Sequence, residues 1–349
     1  MSETNSRIRQ TRNIQRILPV INADYARVTG NPFRRFFCPI LHTDEETELC
    51  LGHIVNEKIP HSIRKCVVQR KDVDGFYGRV FEADFITAIR AREMGLLDAV
   101  FDESLRKKMD VRITLDGQDC DYHYHKGGKP ASCHSRIILD GGDGRERQIA
   151  LHMPPQEVTG ALNRNWQVVV EGDYRLSALV SLIKAGYLTL FRLFGYRYVL
   201  SLAGRYVGYD LLGRFYAENH GRTTEQAKAS AREFFRACTT MVRPIERVEG
   251  EPPRGTIEDR RVMACFSSSS HDAFACAVCV RTGSALHAVL LPAFTRADSV
   301  AAYFEFLMND RETIWLEHCQ YEAEKDQWSG TGEPREAIWP KDGESFDFN

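Results

Sequence analysis

The chain has 349 residues, of which 43% are hydrophobic and 27% are charged, and its formal net charge is −2. This composition is typical of a soluble globular protein with a sizeable core, and the near-neutral charge excludes a general electrostatic attraction to nucleic acid. The start of the chain lacks an apolar leader, and no apolar run reaches the roughly 18 residues of a membrane span. We therefore expect a cytoplasmic protein without a membrane partner. The ten cysteines are irregularly spaced, which argues against a disulfide framework.

The N-terminal part of the chain divides into two predicted segments. Residues 1–30 form a polar arm with a short helix, and residues 31–105 form a compact module that ends in a helix. Basic side chains are concentrated here, at Arg7, Arg9, Arg12, Arg16, Arg34, Arg35, Arg64, Lys65, Arg70 and Lys71. They indicate either a local anion-binding face or ordinary solvated charge, because several acids lie among them.

The remainder of the chain predicts a mixed α+β protein. Residues 106–250 contain strand-like segments up to about Asp173, followed by a long helical block that is interrupted near Gly195 and Gly204. Residues 251–320 predict a three-stranded meander and a closing helix, and residues 321–349 predict a flexible tail. The helical block is rich in aromatic side chains, which are typical of a core but could also stack on bases.

The segment from Leu49 to Phe85 carries the residue types that phosphodiester hydrolysis requires. His53, within LGHIV, is a candidate general base that takes a proton from water. Asp72 and Asp74, in KDVDGFYG, offer the oxygen ligands that Mg²⁺ or Mn²⁺ prefers. A hairpin between the two segments would bring base and ligands together. Arg70 and Lys71 are candidates for contact with a phosphate.

This segment resembles the HNH (ββα-metal) endonuclease superfamily, in the branch with a Cys pair, Glu-His-Ile-Ile-Pro and a later Cys-Asn-Asn-x-x-Gly. Cys38 and Cys50 match the first Cys pair, His53 matches the general base, and Asp74 stands at a metal-binding position. Gly78 and the acid at Asp84 fit the end of the pattern. The resemblance covers about fifty residues and implies a ββα module fused to a larger antiparallel-sheet and helical domain.

Two departures from the family pattern concern metal binding. Gly52 stands where the family has an acid or His ligand, so Asp72 must compensate or the site no longer cuts. Cys38, Cys50 and Cys66 fall short of a four-ligand structural zinc site, which His42 or His61 would have to complete.

A second cluster lies in a predicted hairpin with a KGGKP turn. It offers thiolate and imidazole groups at Cys120, His123, His125, Cys133 and His134. The spacing matches no standard zinc finger, so the cluster is interpreted either as a structural Zn²⁺ site or as a plain polar hairpin. Two further motifs, Cys276 with Cys279 and the His271–Asp272 pair, favour core packing and a turn respectively.

The sequence thus predicts a bacterial or phage-related hydrolase of the HNH endonuclease type. Its expected partner is nucleic acid, with DNA as the expected substrate, and a protein partner or homo-oligomer stays open. The alternative is a catalytically silent, HNH-derived module that binds nucleic acid or protein. A third alternative is an unrelated enzyme with its site in the 120–134 hairpin.

Overall fold

In a computed structural model, the protein has a mixed α+β fold. The structure describes residues 3–59, 65–94, 110–115, 118–120, 122–124, 135–140, 146–151, 166–171, 174–244, 262–266, 273–282, 285–293, 300–304, 313–322, 327–330 and 335–338. Two compact units are formed, one by residues 1–85 with 174–349 and the other by residues 86–173. The predicted boundaries at 31–105, 106–250 and 251–320 stay predictions.

The first unit begins with a long helix rather than a polar arm with a short one. Helix α1 spans Glu3–Thr29, with Pro19 inside it. It packs against the hairpin that follows and against the central helix of the unit. These tertiary contacts stabilise a helix whose own sequence is mostly polar, and that is why the sequence pattern underestimated its length.

A hairpin and a helix follow in direct succession. Strand β1 (Leu49–His53) pairs antiparallel with β2 (Cys66–Arg70), and His53 lies opposite Cys66. Helix α2 (Lys71–Tyr77) starts immediately after β2, continues through a π-helical turn at Gly78–Glu82, and becomes α3 (Ala83–Met94). The order strand, strand, helix agrees with the order predicted for this segment.

The central helix of the first unit is α4, Tyr174–Val199. It packs on the large sheet so closely that a Cβ at Gly186 would lie 2.8 Å from Cγ1 of Val289. The predicted interruption is found at Gly195, where φ is 61°. Gly204 instead lies inside the next helix, because the chain turns earlier, at Ser201. By length and composition α4 could cross a membrane, contrary to the expectation from the sequence, although 72% of its most apolar window is buried in the protein.

Shorter helical segments surround α4. They are α5 (Leu202–Arg205), a π-helix at Tyr206–Gly213, α6 (Arg214–Asn219), α7 (Thr224–Phe234) and a 3₁₀ helix at Arg236–Met241. A capping box between Thr223 and Gln226 starts α7. Tyr187, Tyr196, Tyr198 and Phe215 are fully buried in this block and form part of the core as predicted, whereas Tyr209 is 45% exposed.

The large sheet of the first unit has seven strands among the described residues. They are β9 (Val242–Pro244), β10 (Val262–Phe266), β11 (Ala273–Thr282), β12 (Ala285–Pro292), β13 (Thr313–Glu322), β14 (Gln327–Gly330) and β15 (Arg335–Ile338). The order is β14-β13-β10-β11-β12-β9, with β15 also paired to β13. The meander β10-β11-β12 is confirmed, and Cys276 is a buried core residue of β11. Residues 300–304 are helical, in the predicted closing helix.

The flexible tail predicted for residues 321–349 is wrong in part. Strands β14 and β15 both pair with β13, at Trp328 opposite Tyr321 and at Ala337 opposite Ile314. Each strand has only four residues, and its order depends on pairing with β13. Four residues show too little alternation for the sequence pattern to predict a strand.

The second unit contains two small antiparallel sheets. Strands β3 (Asp110–Leu115), β4 (Gln118–Cys120) and β8 (Trp166–Glu171) form one sheet in the order β4-β3-β8. Strands β5 (Tyr122–Tyr124), β6 (Ser135–Asp140) and β7 (Glu146–Leu151) form the other in the order β5-β7-β6. The strands predicted in this region are therefore confirmed.

Candidate functional site

The first turn of α2 carries both predicted metal ligands, but they face different surroundings. Asp72 accepts two hydrogen bonds from Arg70, at 3.1 and 2.7 Å, and one from the Tyr216 hydroxyl at 3.0 Å. Arg70 also donates to Glu45 at 2.7 Å. We call Glu45, Arg70, Asp72 and Tyr216 the outer clamp. Because residues two apart on a helix do not face each other, Asp74 points elsewhere.

Asp74 belongs to a second group of side chains, which we call the inner cluster. The ammonium of Lys184, on α4, lies 2.9 Å from Oδ1 of Asp74 and 2.8 Å from Oε1 of Glu82. Lys184 is 1% exposed, and its ammonium also lies 5.7 Å from the centre of the Tyr77 ring. A positive charge is thus held between two carboxylates and an aromatic face, in the protein interior.

The π-helical turn explains how Asp74 and Glu82 reach the same cation. Residues eight apart on a regular α-helix differ by about 80° around the axis, since each residue turns the helix by about 100°. The π turn at Gly78–Glu82 accommodates one additional residue, so eight residues complete about two turns. Both carboxylates are thereby directed at α4.

The other oxygens of the inner cluster are also engaged. Oδ2 of Asp74 accepts from the Cys50 thiol at 3.7 Å, and Oε2 of Glu82 accepts from the Asn56 amide at 3.3 Å. Burial and the adjacent Asp74 raise the pKa of Cys50 to about 12. Burial alone would lower the pKa of Lys184, but Glu82 and Asp74 outweigh it and raise that pKa above its usual range. The lysine is therefore protonated, and all four carboxylate oxygens have a donor.

Gly52, the departure from the family pattern, lies directly beside the inner cluster. A Cβ built at this position would lie 2.9 Å from Oδ1 of Asp74 and would overlap the side-chain amide of Gln69. Gln69 is 2% exposed, and neither of its amide atoms has a hydrogen-bond partner in the described part of the chain. The position where a family member would carry a ligand therefore faces Asp74, but Gln69 fills that space.

A divalent ion does not fit this donor set. The two carboxylates that face each other already surround an ammonium, and no third carboxylate or imidazole of the described residues joins them. Among the described residues, no group of three or more His, Cys, Asp and Glu side chains is arranged to hold a metal ion. The predicted pair of Asp72 and Asp74 binds two different cations, Arg70 and Lys184, rather than sharing one.

His53 lies at the loop end of the hairpin, where residues 54–65 connect the two strands. We define the loop end as His53, its strand partner Cys66, and the side chains around them. Its side chain is 33% exposed, and Nε2 lies 3.6 Å from Oε2 of Glu57. The guanidinium of Arg192, an exposed residue of α4, donates to the carbonyl oxygen of Cys66 at 3.2 Å. Because successive side chains of a strand alternate, Cys50 and Gly52 face Asp74, whereas His53 starts on the other face.

The predicted phosphate contacts differ in their availability. Arg70 is held by the outer clamp with its side chain 13% exposed, and the bonds to Asp72 and then Glu45 raise its pKa above the usual range although burial opposes this. Lys71 is 59% exposed and pairs with Glu48 at 2.6 Å. Exposed pairs of this kind are weak, so Lys71 remains available to an anion, whereas Arg70 already has its partners.

The predicted zinc ligands are dispersed in the described part of the chain. Cys38 is buried, and its sulfur accepts from the backbone N–H of Leu41 at 3.4 Å, while Cys50 contacts Asp74. Cys66 is half-buried at the loop end of the hairpin. Cys120 is in the sheet of β3, and His123 is in the separate sheet of β7. His61, His125, Cys133, His134, His271 and Asp272 lie outside the described residues.

Sequence reasoning missed Lys184, Glu82 and Arg192 as site residues. Lys184 had a detectable signal, since a single charged residue within the apolar helix SALVSLIKAGYLTLF requires a buried partner. The acid assigned to the end of the family pattern, Asp84, instead pairs with Lys228 and accepts from Ser177 at 3.5 Å. Glu82, two residues earlier, is the acid that faces Asp74.

Comparison of the chain with protein-family models, with curated proteins and with solved structures finds no match.

Proposed function

We propose that this protein is an HNH-like binding module that holds a nucleic acid backbone at the loop end of the hairpin and does not hydrolyse it. The order β1, β2, α2 and the location of His53 at the end of β1 support the HNH-like interpretation. The single observation that carries the silent interpretation is the Lys184 ammonium between Asp74 and Glu82. It neutralises the carboxylate that the resemblance assigns to the metal.

The loop end offers the groups that a phosphate requires. Arg192 is exposed and donates one hydrogen bond to the Cys66 carbonyl, so its other N–H groups can donate to a phosphate oxygen. His53 adds a half-exposed imidazole on the adjacent strand. With a net charge of −2, the protein offers a local rather than a general attraction, and the binding is expected to be weak and sensitive to salt.

Fluorescence anisotropy with labelled duplex DNA tests this proposal. We expect the wild type to bind, Arg192→Ala to bind roughly tenfold more weakly, and the salt dependence of the Arg192→Ala variant to fall by about one unit of slope. Arg222→Ala, at another exposed arginine, is the matched control and should bind as the wild type does. Unchanged affinity in Arg192→Ala, or no binding by the wild type, would contradict the proposal. Binding to single-stranded RNA alone would contradict the choice of DNA.

Metal-dependent DNA cleavage is the second candidate function. The observation in its favour is the partial exposure of His53, whose imidazole is accessible to water and lies 3.6 Å from the Glu57 carboxylate. Nicking of supercoiled plasmid that requires Mg²⁺ or Mn²⁺ and disappears in His53→Ala would establish this function instead.

A further inference from the structure

We infer that Lys184 is a built-in replacement for the divalent ion of the HNH-like module, and that its removal converts Asp74 and Glu82 into a divalent-cation site. This inference deepens the proposed function and rests on the assignment of the β1–β2–α2 unit to that module. It concerns metal alone and is measured without nucleic acid.

The first argument is the location of the cation. A Cβ at residue 52, where the family has a ligand, would lie 2.9 Å from Oδ1 of Asp74, and the same oxygen binds the Lys184 ammonium at 2.9 Å. The ammonium therefore binds the same Asp74 oxygen that would lie beside a metal ligand at position 52. Its two carboxylate contacts, at 2.9 and 2.8 Å, are those of a charge-assisted hydrogen bond.

The second argument is charge. Two carboxylates directed at one point repel each other unless a cation lies between them. Asp74 is 28% and Glu82 is 13% exposed, so water screens this repulsion only in part. One ammonium supplies the compensation permanently, because it is attached to the core helix α4 and needs no ion from solution.

The third argument is the polar group left without a partner. Gln69 is nearly fully buried beside Asp74, and neither of its amide atoms has a hydrogen-bond partner in the described part of the chain. Its amide oxygen is a hard donor of the type that Mg²⁺ and Mn²⁺ accept. Once Lys184 is shortened, Asp74 and Glu82 offer carboxylate oxygens, the Gln69 amide lies beside the same position, and water can complete the coordination.

The experiment measures Mn²⁺ binding by electron paramagnetic resonance and the melting temperature of the full chain, in EDTA and in Mn²⁺. We expect the wild type to bind no stoichiometric Mn²⁺ and to melt at the same temperature in both buffers. Lys184→Ala removes the cation and leaves space, so it should bind one Mn²⁺ at least about tenfold more tightly than the wild type. Its melting temperature should fall in EDTA and recover in Mn²⁺.

Two matched variants isolate the site. Lys184→Ala combined with Asp74→Asn should lose the Mn²⁺ binding gained by Lys184→Ala. Lys184→Met fills the space of the lysine with an uncharged chain and should not recover in Mn²⁺.

Three results would overturn the inference. They are stoichiometric Mn²⁺ binding by the wild type that Asp74→Asn abolishes, a folded Lys184→Ala that binds no Mn²⁺, and a Lys184→Ala that stays unfolded in Mn²⁺. None depends on nucleic acid, so failure of DNA binding and failure of this inference are distinguishable.

Discussion

The outer clamp and the inner cluster place two aspartates, two residues apart on one helix, in contrasting environments. Asp72 is 43% exposed and meets Arg70 at the surface, whereas Asp74 is 28% exposed and meets an ammonium that is 1% exposed. The two ion pairs have similar chemistry, but they differ in their exposure to water. Exposed pairs contribute little to stability, while breaking a buried pair is costly because a charge is left without compensation. Because its partner is more deeply buried, Asp74 is expected to contribute more to the stability of this region than Asp72.

The largest expected effect comes from removing the buried cation. Lys184→Met should lower the free energy of unfolding by about 3–5 kcal/mol, because Asp74 and Glu82 are left facing each other. Urea unfolding in EDTA measures this loss. The triple variant Lys184→Met, Asp74→Asn, Glu82→Gln should regain part of it, since the facing charges are gone. A loss below about 1 kcal/mol in Lys184→Met would show that the inner cluster resembles a surface pair.

The two aspartates can be compared directly by amide substitution. Asp74→Asn should cost about 1–3 kcal/mol, because a buried donor loses its charged acceptor. Asp72→Asn should cost no more than about 1 kcal/mol, since the Asp72 side chain is itself 43% exposed to water. Although burial opposes it, the bonds from Arg70 and Tyr216 lower the pKa of Asp72, so its contribution is present above the ordinary aspartate range and lost as pH falls below it. Equal costs at neutral pH would contradict the comparison.

Packing around Gly52 gives a further test of the inner cluster. Gly52→Ala should destabilise the protein by about 1–3 kcal/mol, because its Cβ overlaps the Gln69 amide. Gln69→Ala in the same chain should restore stability by opening the space. Gly75 is the matched control, since a Cβ there meets nothing within 4 Å among the described residues. A neutral Gly52→Ala would indicate that Gln69 moves away without cost.

His42 makes the stability of the first unit depend on pH. Burial, together with nearby Arg205, lowers the pKa of His42 to about 4, while the unfolded chain binds a proton near 6.5. The unfolded state therefore holds more protons between these values, and the free energy of unfolding should fall as pH decreases from about 6.5 to 4. His42→Asn should flatten this fall, since asparagine tolerates the local φ of 54° and does not titrate there. An unchanged slope would assign the pH dependence to other groups.

The smallest expected effect on stability comes from substitution of Lys71. Lys71→Ala should change the free energy of unfolding by less than about 0.5 kcal/mol, because its pair with Glu48 is exposed on both sides. Thermal unfolding of the variant beside Glu48→Ala measures it. A cost similar to that of Asp74→Asn would contradict the distinction between exposed and buried pairs.

Local features of the fold were accessible from sequence because local rules determine them. The alternation in SRIILDGG predicted β6, and the periodicity after Asp173 predicted α4 with its interruption at Gly195. Strands β14 and β15 were missed because four residues show too little alternation to predict a strand. The length of α1 was missed because it depends on packing against elements later in the chain.

The site was accessible only in part. Sequence placed His53 and Asp74 on consecutive elements of a hairpin and helix, and that order is found. The cation could not be placed, since Lys184 lies 110 residues after Asp74 and is brought to it only by packing of α4. The π turn that directs Glu82 toward Asp74 also has no clear local signal.

The most direct test of the central claim is incubation of supercoiled plasmid with the wild type in Mg²⁺, in Mn²⁺ and in EDTA, followed by agarose electrophoresis after removal of the protein. If Lys184 takes the place of the metal ion, the plasmid should stay supercoiled in all three buffers. Before the protein is removed, it should slow the migration of duplex DNA in the gel. Nicked DNA that appears only with metal, and not with His53→Ala, would contradict this account and identify a functional nuclease.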